Sequence, residues 1–503
     1  MHGGASWLRR HPVAALIVIG TALRLCFAAG IGLGVDESYM VTAGRAIGLG
    51  YFDHPPASWW MSAGIAHLTG SEAPIVVRLP FIAVFALSTF LMARLGTWYG
   101  GRRAGFYAAL ALNLSPVFGV TSASWVLPDG PLDCALIAAA LALAHALAAA
   151  DPGRVSRAWI TAGLCAGLAL FSKYSAALTL LGALAYLILA PRRRALLARP
   201  GPWVAGLLAL AVFAPVVAWN AAHHWASFAF QGARAEAAHF HPIAPFTVLG
   251  GEALFVLPWI WAPMMVLAIG ALRRGARDDR SFLLLCLGAP PILAFFVIAA
   301  WSSQRVLFHW AAPGYLMLFP LLGDWLARRM AARDGHVRRT LIGTAIFIVA
   351  AVFFVIGAVR TDALHPLLVA AGARHDPVLE GIDWISLRRE LAKRGLLDRP
   401  DTVFAATSWR DGGKIGIALE PRQKLLCLSD DARQFAIAAP PARQIGKDVL
   451  ILVPGAPGTL PPDVAGAFAG VTRLAPLSVR HGGRDLLPVG LFLGHDLRRW
   501  PAG

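Results

Sequence analysis

The segment from Pro12 to Ile31, PVAALIVIGTALRLCFAAGI, carries one charged residue, Arg24, in twenty. Twenty apolar residues are what an α-helix needs to cross about 30 Å of hydrocarbon at ~1.5 Å per residue. Immediately beyond it stands a polar group, Gly34-Val35-Asp36-Glu37-Ser38-Tyr39. The same pattern recurs down the chain. Apolar stretches at 76–97, 105–121, 131–149, 158–172, 174–190, 203–219, 253–272, 281–300, 311–327 and 340–358 bring the expected spans to eleven. Composition agrees, because 57% apolar and 15% charged residues leave too little charge to cover a water-soluble protein of 503 residues.

After Arg360 the pattern changes to short β-like runs, Thr402–Ala406, Lys424–Leu428, Val449–Val453 and Leu486–Leu493, with a helical stretch at Trp384–Arg394. The expected architecture is therefore a polytopic α-helical membrane domain, residues 1–359, followed by a small α/β domain, residues 360–503. Asp411-Gly412-Gly413-Lys414 lacks the spacing of a phosphate-binding fingerprint.

The formal charge of +17 does not imply nucleic acid, because the basic residues cluster at the ends of apolar segments. Counting loops from a cytoplasmic N-terminus, nineteen arginines fall inside, whereas only Arg45, Arg78, Lys173, Arg234 and Arg305 fall outside. That asymmetry predicts a multi-pass inner-membrane protein whose C-terminal domain is periplasmic. Four of the five cysteines lie in apolar segments and Cys427 stands alone, so no disulfide framework or CxxC metal site is expected.

The polar motifs worth chemical attention fall on the outer side. Asp36, Asp53 and Asp129 each stand just beyond a span end beside Pro, Gly or aromatic residues that stiffen and partly dry their surroundings. Carboxylates so held suit general-base work, although a solvated loop charge is the commoner fate of an isolated acidic pair such as Asp36-Glu37. Lys173, Arg234 and Arg305 put positive charge where it is otherwise scarce, and a lipid phosphate would give them a common partner. Snorkelling explains any one of them alone. Arg24, inside the first span, requires a partner within the bundle. His54, His223 and His224 with Asp53 are a set able to hold a divalent metal, but the spacing is not diagnostic and hydrogen-bonded packing is the plainer reading.

Taken in order, these motifs resemble the bacterial membrane glycosyltransferases of family 39 and the related transferases of aminoarabinose to lipid A, within the glycosyltransferase-C superfamily. The resemblance rests on Asp36-Glu37, on Tyr51 to Pro56, on Pro128 to Leu132 and on Ser172 to Tyr174. Further along it rests on Trp219-Asn220 with His224-Trp225, and on His309 to Tyr315. It implies the glycosyltransferase-C fold and transfer of a sugar from a polyprenyl-phosphate donor to a hydroxyl acceptor such as a glycolipid, a polysaccharide or a protein. Asp36 would be the base, with Glu37, Asp53 and Asp129 in the acidic set and Tyr51 and His54 lining the donor. His54 stands where the aminoarabinose enzymes have a lysine facing the lipid phosphate, which makes Lys173, Arg234 and Arg305 the stronger candidates for that task. A lipid flippase or transporter is the competing reading, but such proteins carry polar groups near the midplane rather than at one face.

Overall fold

The computed structural model describes residues 10–233, 239–302, 305–372, 376–397, 403–419, 421, 423–456 and 458–501. Two compact units are present. The first comprises Met1–Arg24, Leu49–Ser58 and Phe81–Ala350; the second comprises Leu25–Gly48, Trp59–Pro80 and Ala351–Gly503.

Among the described residues, seven helices are long and apolar enough to cross a membrane: Pro12–Gly30, Pro74–Gly100, Asp129–Ala148, Pro152–Ser172, Pro200–Ala222, Asp279–Trp301 and Gly335–Thr361. Each coincides with an expected span. The other four expected segments are helical but short or interrupted. Residues 105–121 divide into Arg102–Leu114 and a π-helical turn, Val117–Ser122, separated by Ser115-Pro116. Residues 253–272 bend by 114° where Ala244–Val256 meets the next helix, because Leu257 adopts a φ of 82° and Pro258 cannot continue the preceding ladder. Residues 311–327 split into Ala312–Leu316 and Phe319–Ala331, each with a proline in its first turn. Ala176–Leu189 is a single helix of 14 residues.

In the first unit, apolar side chains such as Phe85, Met92, Phe118 and Leu136 form a continuous core. Arg24 lies buried in it, and its charge is answered locally. It donates to Asn113 Oδ1 at 2.8 Å and to the Gly119 carbonyl at 3.1 Å, and its guanidinium lies 4.4 Å from the Phe85 ring centroid. The π-helical turn supplies that carbonyl, since a widened turn frees acceptors that a regular helix would consume.

The second unit contains a five-stranded sheet ordered β2-β1-β3-β5-β4, where β1 is Val403–Ala406, β2 Leu425–Cys427, β3 Val449–Pro454, β4 Phe468–His481 and β5 Arg484–Leu497. β1 pairs in parallel with β2 and β3, whereas β3–β5 and β5–β4 are antiparallel. Val403, Leu426, Ile451 and Phe492 pack together in its core. β4 was not expected, and most of its residues are exposed. The helix Trp409–Leu419 was not expected either. It packs on Val35–Ala43 through two glycines: a Cβ on Gly413 would lie 2.5 Å from the Tyr39 backbone nitrogen, and one on Gly416 would lie 2.1 Å from Thr42 Cγ2. The tail helix therefore rests directly on the backbone that carries Asp36.

Candidate active site

In the second unit, Gly34 precedes the helix Val35–Ala43, and the two acidic residues of its first turn meet opposite fates. Glu37 folds back, accepting from the Gly34 amide at 2.8 Å, and its carboxylate receives Arg78 Nε at 2.8 Å and Nη2 at 2.5 Å. Arg78 spends its remaining donors on the carbonyls of Ile31 and Gly32, at 3.0 and 2.8 Å. Both side chains are buried. Glu37 is thus occupied in joining the end of the first span to the helix Pro74–Gly100.

Asp36, one residue earlier, has an exposed side chain. Surrounding protein nevertheless strips enough hydration to push its carboxyl above the ordinary carboxylate range. Arg410 and Arg433 pull the other way, while Glu380 and Glu37 add to the rise. Those cations are themselves positioned. Arg410 pairs with Glu380 at 3.0 Å, and the Arg433 guanidinium lies 3.8 Å from the Trp409 ring centroid. Tyr39 packs edge-on against Trp409 and Phe435, and its hydroxyl accepts from the Gln434 amide at 3.0 Å.

Lys414 is buried and donates to the carbonyls of Leu33, Glu380 and Ile382 at 2.7 to 2.8 Å. Burial pushes its ammonium down to about 7, against nearby carboxylates that favour the charge. Beside it is a cavity of about 660 Å³ whose lining includes Ser38, Arg45, Glu72, Trp384 and Arg388.

In the first unit, Asp129 opens the helix Asp129–Ala148, and Lys173 follows the last turn of Pro152–Ser172. Lys173 Nζ lies 2.9 Å from Asp129 Oδ1, with the side chains 12% and 8% exposed. His309 and His54 are electrostatic neighbours of Asp129. Burial lowers the His309 imidazole to about 4, so it is neutral near pH 7. Asp53 and Tyr51 are buried; the Gln231 side-chain amide donates to the Asp53 backbone carbonyl, and Phe52 packs on Phe230 with centroids 4.9 Å apart. Gly50 is pressed against the Trp219 indole.

The structure thus brings Asp129, Lys173 and His54 into one electrostatic neighbourhood. Arg305 is exposed, with its guanidinium 5.5 Å from the Phe308 ring centroid. Arg234 lies outside the described residues. His223 Nδ1 donates to the Trp219 carbonyl of its own helix at 2.8 Å, and the ring stacks on that of Trp219, which is a packing role. Among the described residues no three His, Cys, Asp or Glu side chains are grouped to hold a metal ion. Sequence reasoning missed Arg78, Arg410, Lys414 and His309 as members of these clusters. For His309 a signal existed, since His309-Trp310 belongs to the motif string.

The profile of the dolichyl-phosphate-mannose-protein mannosyltransferase family matches residues 53–219. A lipid A galacturonosyltransferase of Rhizobium johnstonii is 26% identical over 335 residues, covering 63% of this chain and 66% of that protein. An undecaprenyl phosphate-alpha-4-amino-4-deoxy-L-arabinose arabinosyl transferase of Sodalis glossinidius is 32% identical over 289 residues, covering 54% of this chain and 49% of that one. The chain thus spans about two thirds and about half the lengths of these relatives. The crystal structure of ArnT from Cupriavidus metallidurans in the apo state superposes with a TM-score of 0.67 at 15% identity, covering 97% of this chain and 98% of that one. The same enzyme bound to undecaprenyl phosphate gives 0.66. These matches bear out the resemblance read from the motifs, and the two chains share one fold nearly end to end.

Proposed function

We propose that this multi-pass membrane protein of glycosyltransferase-C fold transfers a sugar from a polyprenyl phosphate to a hydroxyl of a glycolipid such as lipid A, at the periplasmic face of the inner membrane. The two curated relatives support the donor and acceptor classes by their names. The single observation that carries the catalytic assignment is the contrast within the acidic pair: Glu37 is consumed by Arg78, while Asp36 is accessible and has its proton affinity raised. A carboxylate so tuned is a better base than a freely hydrated one.

In the proposed reaction Asp36 takes the proton of the acceptor hydroxyl as its oxygen attacks the anomeric carbon. The bond from that carbon to the phosphate oxygen breaks, and polyprenyl phosphate departs with the electron pair. A single displacement inverts the anomeric centre. Lys173, positioned by Asp129, neutralises charge growing on the departing phosphate, with Arg305 and Arg234 as further candidates. Asp53, His54 and Tyr51 shape the donor's surroundings, and residues 360–503 support the helix that bears the base.

Purified enzyme given a polyprenyl-phosphate sugar and lipid A should release free polyprenyl phosphate. Asp36→Asn should stop that release while leaving donor binding intact. Normal turnover by Asp36→Asn would sink the assignment, and translocation of lipid without release would favour a flippase.

A further inference from the structure

The helices Asp129–Ala148, Pro152–Ser172, Ala176–Leu189 and Pro200–Ala222 line an apolar cavity of about 280 Å³ that contains none of the residues assigned to the reaction. Ala139, Leu143, Trp159, Ala166 and Leu184 are among its walls. It extends toward the end of the bundle remote from the Asp129–Lys173 pair. Leu143 comes fourteen residues after Asp129 and Trp159 fourteen before Lys173, which is about 21 Å along a helix in each case. Two of its helices meet at a glycine seam, where a Cβ on Gly163 would lie 2.5 Å from the Ala205 carbonyl. Beside that seam the alanines leave a slot rather than a filled core.

The same end of the bundle carries a concentrated positive charge. Arg192, Arg193, Arg194 and Arg199 all fall in the short connection between Leu189 and Pro200. Arg193 is engaged by Asp279 and by the Leu147 carbonyl. Arg192, Arg194 and Arg199 are exposed; Arg194 donates to the Ile188 carbonyl at 2.6 Å, and Arg192 adds its field to that of Arg193 at Asp279. Leu197, from this connection, lines the slot, and its carbonyl accepts from Trp203 Nε1 at 2.8 Å. Trp203 also lines the slot and is 61% exposed, as suits an indole at the headgroup level. Leu197 and Trp203, at the slot's edge, flank Arg199 in the chain.

We propose that this surface is a binding site for an anionic membrane phospholipid, with one acyl chain in the slot and the phosphate against Arg192 and Arg199. The slot excludes a polar occupant, and the exposed guanidiniums of Arg192 and Arg199 select the headgroup by charge. The site is independent of the catalytic assignment above.

The test is native mass spectrometry of the full chain, delipidated and then titrated separately with phosphatidylglycerol, phosphatidylethanolamine and a polyprenyl phosphate. One phosphatidylglycerol should be retained per chain with at least a tenfold preference over phosphatidylethanolamine. Ala166→Phe should cut retention about tenfold. Arg192→Gln with Arg199→Gln, both exposed positions, should abolish the headgroup preference in a protein that still folds. Equal retention of the two phospholipids by the unaltered chain would overturn the proposal. So would preference unchanged in the arginine variant, or displacement of phosphatidylglycerol by an equimolar polyprenyl phosphate.

Discussion

Glu37 and Arg78, 41 residues apart, close on each other through contacts of 2.5 and 2.8 Å with both side chains buried. Removing one partner of such a pair strands a charge in a dry place, at a cost on the order of 3–5 kcal/mol. Glu37→Gln should therefore lower the thermal midpoint sharply, while the fraction that remains folded keeps turnover within a few-fold. Asp36→Asn should do the reverse, with an unchanged midpoint and no transfer. Thermal scanning fluorimetry beside a polyprenyl phosphate release assay reads both.

The proton affinity of Asp36 should be visible in the pH profile. A base must be deprotonated, so kcat/KM should fall as pH drops through a value above that of an ordinary aspartate. Arg410 lowers this affinity, so Arg410→Gln should raise it and move the acidic limb to higher pH. A limb that stays put would show that another group titrates.

Lys173 provides a second kinetic test. Lys173→Met removes the cation 2.9 Å from Asp129 and leaves that carboxylate buried without its partner. Transfer should fall roughly 10²-fold or more, the scale of losing a preorganised charge stabiliser. Lys173→Arg should restore part of it, and the loss should appear in donor binding as well as in kcat.

For Lys414, the measurable quantity is stability. Lys414→Met would leave the carbonyls of Leu33, Glu380 and Ile382 without their shared donor. Each unsatisfied buried acceptor costs about 1–3 kcal/mol. The variant should expose its C-terminal region to limited proteolysis at concentrations the parent resists.

Much of this architecture was legible because membrane spans advertise themselves by length and apolarity. The seven long helices needed nothing else. The interruptions at Leu257-Pro258 and Ser115-Pro116 were harder, because hydropathy averages over a break that leaves both sides apolar. β4 escaped notice because strand reading relies on alternation, and Phe468–His481 is exposed on most of both faces. Trp409–Leu419 escaped because Gly412, Gly413 and Gly416 lower helix propensity. Gly413 and Gly416 are present for contact with Tyr39 and Thr42, and Gly412 faces the Phe435 ring. In the site, Asp36, Glu37, Asp129 and Lys173 were all singled out by their positions at span ends. Which acid is locked and which is accessible depends on Arg78, and no local pattern encodes a partner 41 residues away.

The glycine contact between Trp409–Leu419 and the helix bearing Asp36 also sets an order of events during biosynthesis. Spans emerge from the ribosome and enter the bilayer long before residue 409 is translated. Until that late segment arrives, the proposed base has no Arg410 beside it, and Lys414 is not there to gather the carbonyls next to its helix. A half-made chain already threaded into the membrane would thus hold the proposed base in a different electrostatic setting, and its final proton affinity would be fixed only once the segment beginning at residue 409 had docked.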